Sequence, residues 1–171
     1  MTTTGGRTLR IARRGDLASI VEIYNSTVPS RMVTADIEPV SVESRIRWFE
    51  EHTPQSRPLW VVDADGGIAA WLSFSSFYGR PAYRRTVELG IYVHASFRRQ
   101  GLGAYLLTEA IAQAPGLEVD TLLGFIFGHN EPSLVLFGRF GFSRWGELPR
   151  VASIDGIERD LVIVGRRVDA P

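Results

Sequence analysis

One segment constrains this chain more than any other: IYVHASFRRQGLGAYLLTEAI, residues 91–111. An apolar strand runs into a glycine-bearing turn, and the turn opens directly into an amphipathic helix. The first N–H groups of a helix have no partner within it, and the aligned peptide dipoles add partial positive charge there. Gly101 and Gly103 let the backbone approach a bulky anion, and Arg98 and Arg99 add charge. The natural ligand of such a turn is a pyrophosphate. A P-loop would need Lys-Ser or Lys-Thr after the second glycine, where Ala104-Tyr105 stands, and a dinucleotide turn would want a third glycine where Leu106 sits. On the turn alone, a plain helix start rich in arginine and glycine is the favoured reading.

The flanking pattern supplies the architecture. Leu9 to Arg13 reads as a short strand, and Asp16 is placed to cap a helix with Leu17, Ile20, Val21 and Tyr24 at helical spacing. An irregular stretch, NSTVPSRMVTADIEPV, is long enough to be a functional loop. Ser41 can cap a second helix bearing Val42, Ile46 and Phe49, stopped before Pro54. LWVV and IAAWLSF flank the turn Ala64-Asp65-Gly66-Gly67, a hairpin signal, and a third strand spans about Thr86 to Val93. A helix from about Gly101 to Ala114, a strand from Thr121 to Phe127, a short helix with Pro132 in its first turn, and two strands about Asp155-Gly156 complete the order. Such an order predicts an α/β fold, a mixed sheet with helices packed on it. At 171 residues with 44% hydrophobic content, one domain can bury a core without staples. The expected division is a flexible tail over 1–8 and a single domain over 9–168.

Charge and composition narrow the function classes. Lys plus Arg and Asp plus Glu both number 19, so no global field favours nucleic acid or an anionic membrane, and any anion site is local. The absence of cysteine excludes disulfides and thiolate chemistry. The opening MTTTGGRTLR has no apolar signal run, and no stretch approaches the ~20 apolar residues of a membrane span, so a cytoplasmic protein is expected. His52, His94 and His129 are too scattered for a metal site, and no metal is expected. Trp48, Trp60, Trp71 and Trp145 read as core or interface packing.

Arg98-x-x-Gly101-x-Gly103 after a strand, followed thirty residues on by Asn130 between a strand and a helix ending in Phe140-Gly141-Phe142, resembles the GCN5-related N-acetyltransferase (GNAT) superfamily. IYNSTVPSRMVTADIEPVSVESRIRWF, FYGRPAYRRTVELGIYV and GHNEPSLVLFGRFGF are similar to its phosphinothricin N-acetyltransferase branch, which also acts on methionine sulfone and methionine sulfoximine. The likeness runs from about Leu9 to Arg166. It implies a GNAT fold, a mostly antiparallel sheet splayed at its middle after a bulged strand, with helices on both faces. It implies an acetyl-CoA-dependent N-acetyltransferase, with direct attack of a small-molecule amine in a ternary complex.

The resemblance also assigns residues. Ile91, Tyr92 and Val93 would line the pantetheine arm, with the Val93 N–H polarising the thioester carbonyl. Arg98, Arg99, Gln100, Gly101, Leu102, Gly103 and Ala104 would hold the pyrophosphate, and Asn130 and Ser133 would meet the cofactor from the next helix start. Asn130 has a second reading as a helix cap ahead of Pro132, and Ser133 as a hydroxyl bonding its own helix. Glu88 sits where the branch carries its general base; its alternatives are an ion pair with Arg84 or Arg85, or plain exposure on the substrate-groove side. Arg80, Tyr83, Arg84 and Phe77 would contact the acceptor, with Tyr78 as a wall and Arg31 to Thr34 as a cover; the alternative for the arginines is solvated surface charge. Two departures stand out: Leu89-Gly90 replaces the branch's His-Ser, and Phe137 stands where many members carry a proton-donating tyrosine. A homodimer through Trp145 to Ile157 is expected. Rival readings are acetylation of a protein N-terminus, a lysine or a polyamine, and a non-catalytic acyl-CoA-binding domain.

Overall fold

The computed structural model describes residues 2–4 and 6–168. Eight strands form one sheet, β1 (Thr2–Thr4), β2 (Arg7–Ile11), β3 (Leu59–Ala64), β4 (Gly67–Ser76), β5 (Thr86–Val93), β6 (Thr121–Phe127), β7 (Ser143–Ile154) and β8 (Ile157–Arg167). They lie in the order β1-β2-β3-β4-β5-β6-β8-β7. Every neighbouring pair is antiparallel except β5 with β6, which is parallel. A parallel pair needs a crossover, and the helix α3 (Leu102–Gln113) supplies it. The expected mixed, mostly antiparallel sheet is what forms.

Alternation along the strands sorts side chains to two faces. Trp60 and Val62 of β3 and Ala70, Leu72 and Phe74 of β4 join Leu102, Leu106, Leu107 and Ala110 of α3 in the larger core, which also takes Phe137 of α4 (Glu131–Arg139). On the opposite face Val61 and Trp71 pack against Ile20 and Ile23 of α1 (Leu17–Asn25), with Trp48 and Phe49 of α2 (Ile46–Glu50) closing over them. The buried Trp71 indole N–H donates to the Ile20 carbonyl at 3.1 Å, so its polar atom is satisfied. Asp65 and Gly66 at the β3–β4 turn both have positive φ (49° and 81°), the pattern a two-residue hairpin turn requires.

Three local expectations change. Thr2–Thr4, expected as tail, forms β1 against β2. Asp16 does not cap α1 with its side chain. Its carboxylate instead accepts the Arg13 N–H at 2.6 Å and pairs with Arg10 at 2.6 Å, which holds the carboxyl below its usual range. The second helix is only five residues long, preceded by a 3-10 turn over Glu43–Arg45 whose Ser44 N–H bonds Ser41 Oγ at 3.1 Å. Among the described residues no helix is long and apolar enough to cross a membrane.

Candidate active site

The sheet opens at its one parallel pair. β5 and β6 pair only at Thr86↔Thr121, Val87↔Leu122 and Glu88↔Leu123, and beyond Glu88 the strands part. β5 keeps unbroken register with β4 from Ser76↔Val87 to Ala70↔Val93, so the opening lies wholly on the β6 side. The bulge that the family likeness implied in this strand is absent from that register; the early end of the parallel ladder produces the splay instead. The N–H of His94 donates to Ala69 on β4 at 2.9 Å. Because successive N–H groups along a strand alternate sides, those of Ile91 and Val93 face away from β4, into the gap. The gap is a cleft of about 200 Å³ lined by Glu88 to Val93, Gly124 to Ile126, Asn130, Ser133 and Phe137. At Gly124 a Cβ would fall 2.8 Å from Phe137 Cε1, so the missing side chain is what admits the Phe137 ring.

The turn between β5 and α3 borders a groove of about 740 Å³ that includes Val93, Arg98, Arg99, Gly101 to Ala104, Asn130 and Ser133. Arg99 and Gly101 are left-handed (φ 60° and 79°). The first bond of α3 runs from Tyr105 N–H to the Gly101 carbonyl at 2.9 Å, and no side chain caps the helix. The N–H groups of Leu102, Gly103 and Ala104 therefore have no partner within the helix and stand at the groove, able to donate to an anion. A Cβ on Gly103 would approach Leu136 Cδ2 to 3.0 Å, so glycine there lets α3 press on α4. The Gln100 side chain is committed to the protein: its amide donates to Ser96 O at 3.1 Å, and its Oε1 accepts from Arg7 at 2.6 Å. Arg7, 93 residues away in sequence, also bonds the Gln100 carbonyl at 3.1 Å and pins the turn; no local signal marks it.

Asn130 is 6% exposed and its Oδ1 accepts the Ser133 N–H at 3.3 Å, so it does cap α4 while bordering groove and cleft. Ser133 Oγ makes no hydrogen bond to a described residue, so the alternative reading, a hydroxyl bonding its own helix, is not what forms. Phe137 is buried.

Glu88, Gly90 and Tyr92 lie on one face of β5, as alternation predicts, and line a second cavity of about 190 Å³ beneath α1 and α2. Its other walls include Tyr24, Arg45, Trp48, Trp71 and Ser73. Tyr92 stacks on Trp71 with centroids 4.3 Å apart. Glu88 borders both this cavity and the cleft. No described residue pairs with its carboxylate: Arg85 instead bridges Asp120 at 2.7 Å. Burial pushes the Glu88 carboxyl up from its ordinary range. Burial likewise raises the Tyr92 phenol.

The branch departures acquire physical reasons. Leu89 points the other way, is 4% exposed and belongs to the main core, where an imidazole would lose hydration. A Cβ on Gly90 would fall 2.8 Å from Ser73 Oγ. A serine side chain, which the resemblance implied at this point of β5, would collide with Ser73 of β4.

Phe77, Arg80, Tyr83 and Arg84 gather with Arg57 around a separate pocket of about 170 Å³ that Glu88 does not line. Phe77 and Tyr83 meet edge to face at 5.3 Å, and Arg57 donates to the Arg84 carbonyl at 2.6 Å. Tyr78 is 77% exposed. Over the cleft, the loop from Arg31 to Thr34 is fastened by Arg31 to Asp155 at 2.8 Å and to the Ile37 carbonyl at 2.7 Å, by the Arg31 carbonyl to His129 Nε2 at 2.8 Å, and by Thr34 to the Tyr24 hydroxyl. Val33 from this loop borders both groove and cleft. Sequence reasoning passed over Arg45 and Ser73, placed Tyr24 only on the apolar face of the first helix, and took Trp48 and Trp71 for packing alone. Among the described residues no three His, Asp or Glu groups converge as a metal site would require.

Comparison with known proteins places this geometry. The acetyltransferase (GNAT) family matches residues 17–142. The chain is 54% identical over 162 residues to YwnH of Bacillus subtilis (strain 168), provisionally named a phosphinothricin acetyltransferase; the match covers 94% of this chain and 99% of that one. It is 31% identical to the L-amino acid N-acyltransferase MnaT of Escherichia coli (strain K12), over 94% of each chain. The crystal structure of a phosphinothricin acetyltransferase from Sinorhizobium meliloti in complex with acetyl-CoA superposes with a TM-score of 0.88 at 29% identity, covering 95% of this chain and 89% of that one. The chain belongs to the acetyltransferase (GNAT) family, in its phosphinothricin N-acetyltransferase-like branch, and is an acetyltransferase.

Proposed function

We propose that residues 9–168 act as a single N-acetyltransferase domain that moves acetyl from acetyl-CoA to the amine of a small amino-acid-like acceptor, of the phosphinothricin or methionine sulfone and sulfoximine type, by direct attack in a ternary complex. One observation carries the reading: Glu88 is a half-buried carboxylate, unpaired among the described residues, lining both the cavity under α1 and α2 and the cleft between β5 and β6. An amine in the cavity and a thioester in the cleft would meet at this residue.

The residues present fit acetyl-CoA. Uncapped N–H groups at the start of α3, with Arg98 and Arg99, suit its pyrophosphate. The N–H groups of Ile91 and Val93, turned from β4, suit an extended pantetheine arm added as a strand. Asn130, having spent Oδ1 on the α4 cap, retains its amide N–H groups for that arm. Acetyl-CoA supplies an activated acyl group: a C–N bond to the amine forms as the C–S bond breaks. Glu88 takes the proton that the amine loses, directly or through one water. The Val93 N–H stabilises charge on the carbonyl oxygen; donors in that role contribute about 3 kcal/mol. Phe137 cannot protonate the leaving sulfur, and a thiolate leaves without help near neutral pH. Arg80, Tyr83 and Arg84 are proposed donors to oxygens on the acceptor's side chain, with Phe77 as an apolar wall, in the neighbouring pocket that Glu88 does not line.

We place the enzyme in the cytoplasm as a homodimer, joined through the β7–β8 hairpin, where Trp145, Leu148, Val151 and Ile157 are exposed. The test is thiol release from acetyl-CoA with purified protein and a panel of phosphinothricin, methionine sulfone, methionine sulfoximine, polyamines and peptides. Turnover confined to the amino-acid analogues is the expected result; turnover confined to peptides or polyamines would refute the acceptor assignment. Acetyl-CoA binding with no turnover on any amine would favour a non-catalytic acyl-CoA-binding domain.

A further inference from the structure

The cavity beside Glu88 carries opposite charges. Arg45, from the turn that opens α2, lines it together with Glu88. The guanidinium is held firmly. One N–H binds Asp36 at 2.9 Å, and the group lies over the Tyr24 ring with its carbon 4.8 Å from the centroid. Asp36 in turn accepts from the Tyr24 hydroxyl at 2.5 Å, and Thr34 shares that hydroxyl. The long loop bearing these groups is itself tied to α1 by reciprocal bonds between Asn25 and Val40, both 2.9 Å. Arg45 has five N–H donors and makes a single hydrogen bond to a described residue, so its fork is oriented but far from saturated. The space between Arg45 and Glu88 is walled by the rings of Trp48, Trp71 and Tyr92.

We propose that Arg45 is the anchor for the acceptor's α-carboxylate, which makes this cavity a site for free α-amino acids. The inference rests on the acceptor reading of the Glu88 cavity given above. A zwitterionic amino acid matches the site at each end. Its carboxylate meets a pre-oriented guanidinium fork, the pairing whose geometry gives Arg its selectivity for planar anions. Its ammonium approaches the aromatic faces and Glu88, which removes the proton before attack. A cavity of about 190 Å³ holds one compact molecule. A peptide N-terminus lacks the carboxylate at this spacing, and a polyamine brings a second cation towards Arg45. Asp36 orients Arg45 without itself lining the cavity, which leaves the remaining donors for the ligand.

The experiment compares methionine sulfone, its carboxamide and its decarboxylated amine as acceptors with the wild type, Arg45→Gln and Arg45→Lys. Thiol release gives kcat and KM, and tryptophan emission reports binding directly, because Trp48 and Trp71 line the cavity. The wild type is expected to favour the amino acid over its carboxamide by ~10- to 100-fold, the range of a hydrogen-bonded charge pair. Arg45→Gln should raise KM for the amino acid by a similar factor, with the loss in KM rather than kcat, and should cost the carboxamide far less; Arg45→Lys should recover part of the loss. Equal losses on acid and carboxamide, or no wild-type preference, would overturn the proposal. Saturable emission change with the amino acid, lost in Arg45→Gln but without thiol release, would overturn the acetyl-transfer reading and support the carboxylate site. Neither emission change nor turnover with the amino acid would overturn both.

Discussion

Glu88→Gln is the sharpest test of the site, because the substitution keeps the side chain's shape while removing its charge and its ability to take a proton. No other carboxylate and no imidazole lines the cavity or the cleft, so nothing nearby substitutes as base. The loss should therefore approach the full contribution of a positioned general base, ~10²- to 10⁴-fold in kcat/KM, or about 3–5 kcal/mol of barrier. Acetyl-CoA affinity should hold, since the pyrophosphate turn and the N–H groups facing the gap are untouched. Two pH effects follow from burial raising the Glu88 carboxyl. Activity needs the ionised form, so the acidic limb of wild-type kcat/KM should lie above the ordinary carboxylate range and vanish in Glu88→Gln. The folded protein holds this proton more tightly than the unfolded chain, so the Glu88 contribution to stability falls as pH rises from the ordinary carboxylate range through the raised value. Glu88→Gln should thus be at least as stable as the wild type at neutral pH, with the difference closing in acid. Thiol-release kinetics, calorimetric titration of acetyl-CoA and thermal melts across pH measure all three. Turnover within a few-fold of wild type would remove Glu88 as the base; a marked drop in melting temperature at neutral pH would refute its description as an unpaired, desolvated carboxylate.

Gly101→Ala meets no atom within 4 Å but fixes a side chain at φ +79°, so it should cost about 1–2 kcal/mol of stability and weaken acetyl-CoA binding, read by melting and titration. Gly90→Ser should be destabilising because its Cβ collides with Ser73 Oγ, and Ser73→Gly combined with it should restore stability and activity. A coupling near zero in that cycle would contradict the collision between β4 and β5 at this point, since contacting pairs couple by about 0.5–3 kcal/mol. Trp145→Glu, placed on the exposed hairpin, should shift sedimentation from dimer to monomer while the monomer stays folded; an unshifted dimer would move the interface elsewhere.

What was legible in the sequence was whatever one strand or one turn encodes. β5 and β6 form over Thr86–Val93 and Thr121–Phe127, as their apolar runs predict, and the face assignment of Glu88 followed from period-2 alternation. Asn130 as cap needed only local chemistry, whereas Arg98 to Gly103 read alone as a plain helix start, and its assignment to an anion rests on the family resemblance. Contacts closing over long sequence separations were not legible. Arg7 pinning Gln100, Ser73 occupying the space over Gly90, and Arg45 facing the Glu88 cavity across the α1–α2 loop each depend on tertiary placement of a residue with no distinguishing neighbours. The grouping of Phe77, Arg80, Tyr83 and Arg84 was visible in GRPAYRR, but not that they would border a pocket apart from Glu88. Asp16 failed as a cap for a similar reason: Arg10, across the strand end, claimed its carboxylate.

The site's separate parts descend from one topological fact. A sheet built from hairpins has no internal gap, because each strand pairs along its length with the next. One parallel junction, β5 to β6, breaks that rule: the chain must leave the end of β5, cross over and re-enter beside its start. The crossover places the start of α3 just past the C-terminal end of β5, so N–H donors for an anion arise beside the strand edge that β6 leaves unpaired after Glu88↔Leu123. In α/β sheets, ligands gather at the carboxyl ends of strands where the topology switches, for this same reason. Glu88 is the last paired residue before the strands part, which sets its side chain where the cavity under α1 and α2 meets the cleft. Had the parallel ladder continued two residues further, the N–H of Ile91 would face β6 and the cleft would close. A variant that lengthens that ladder should therefore lose acetyl-CoA binding before it loses the fold.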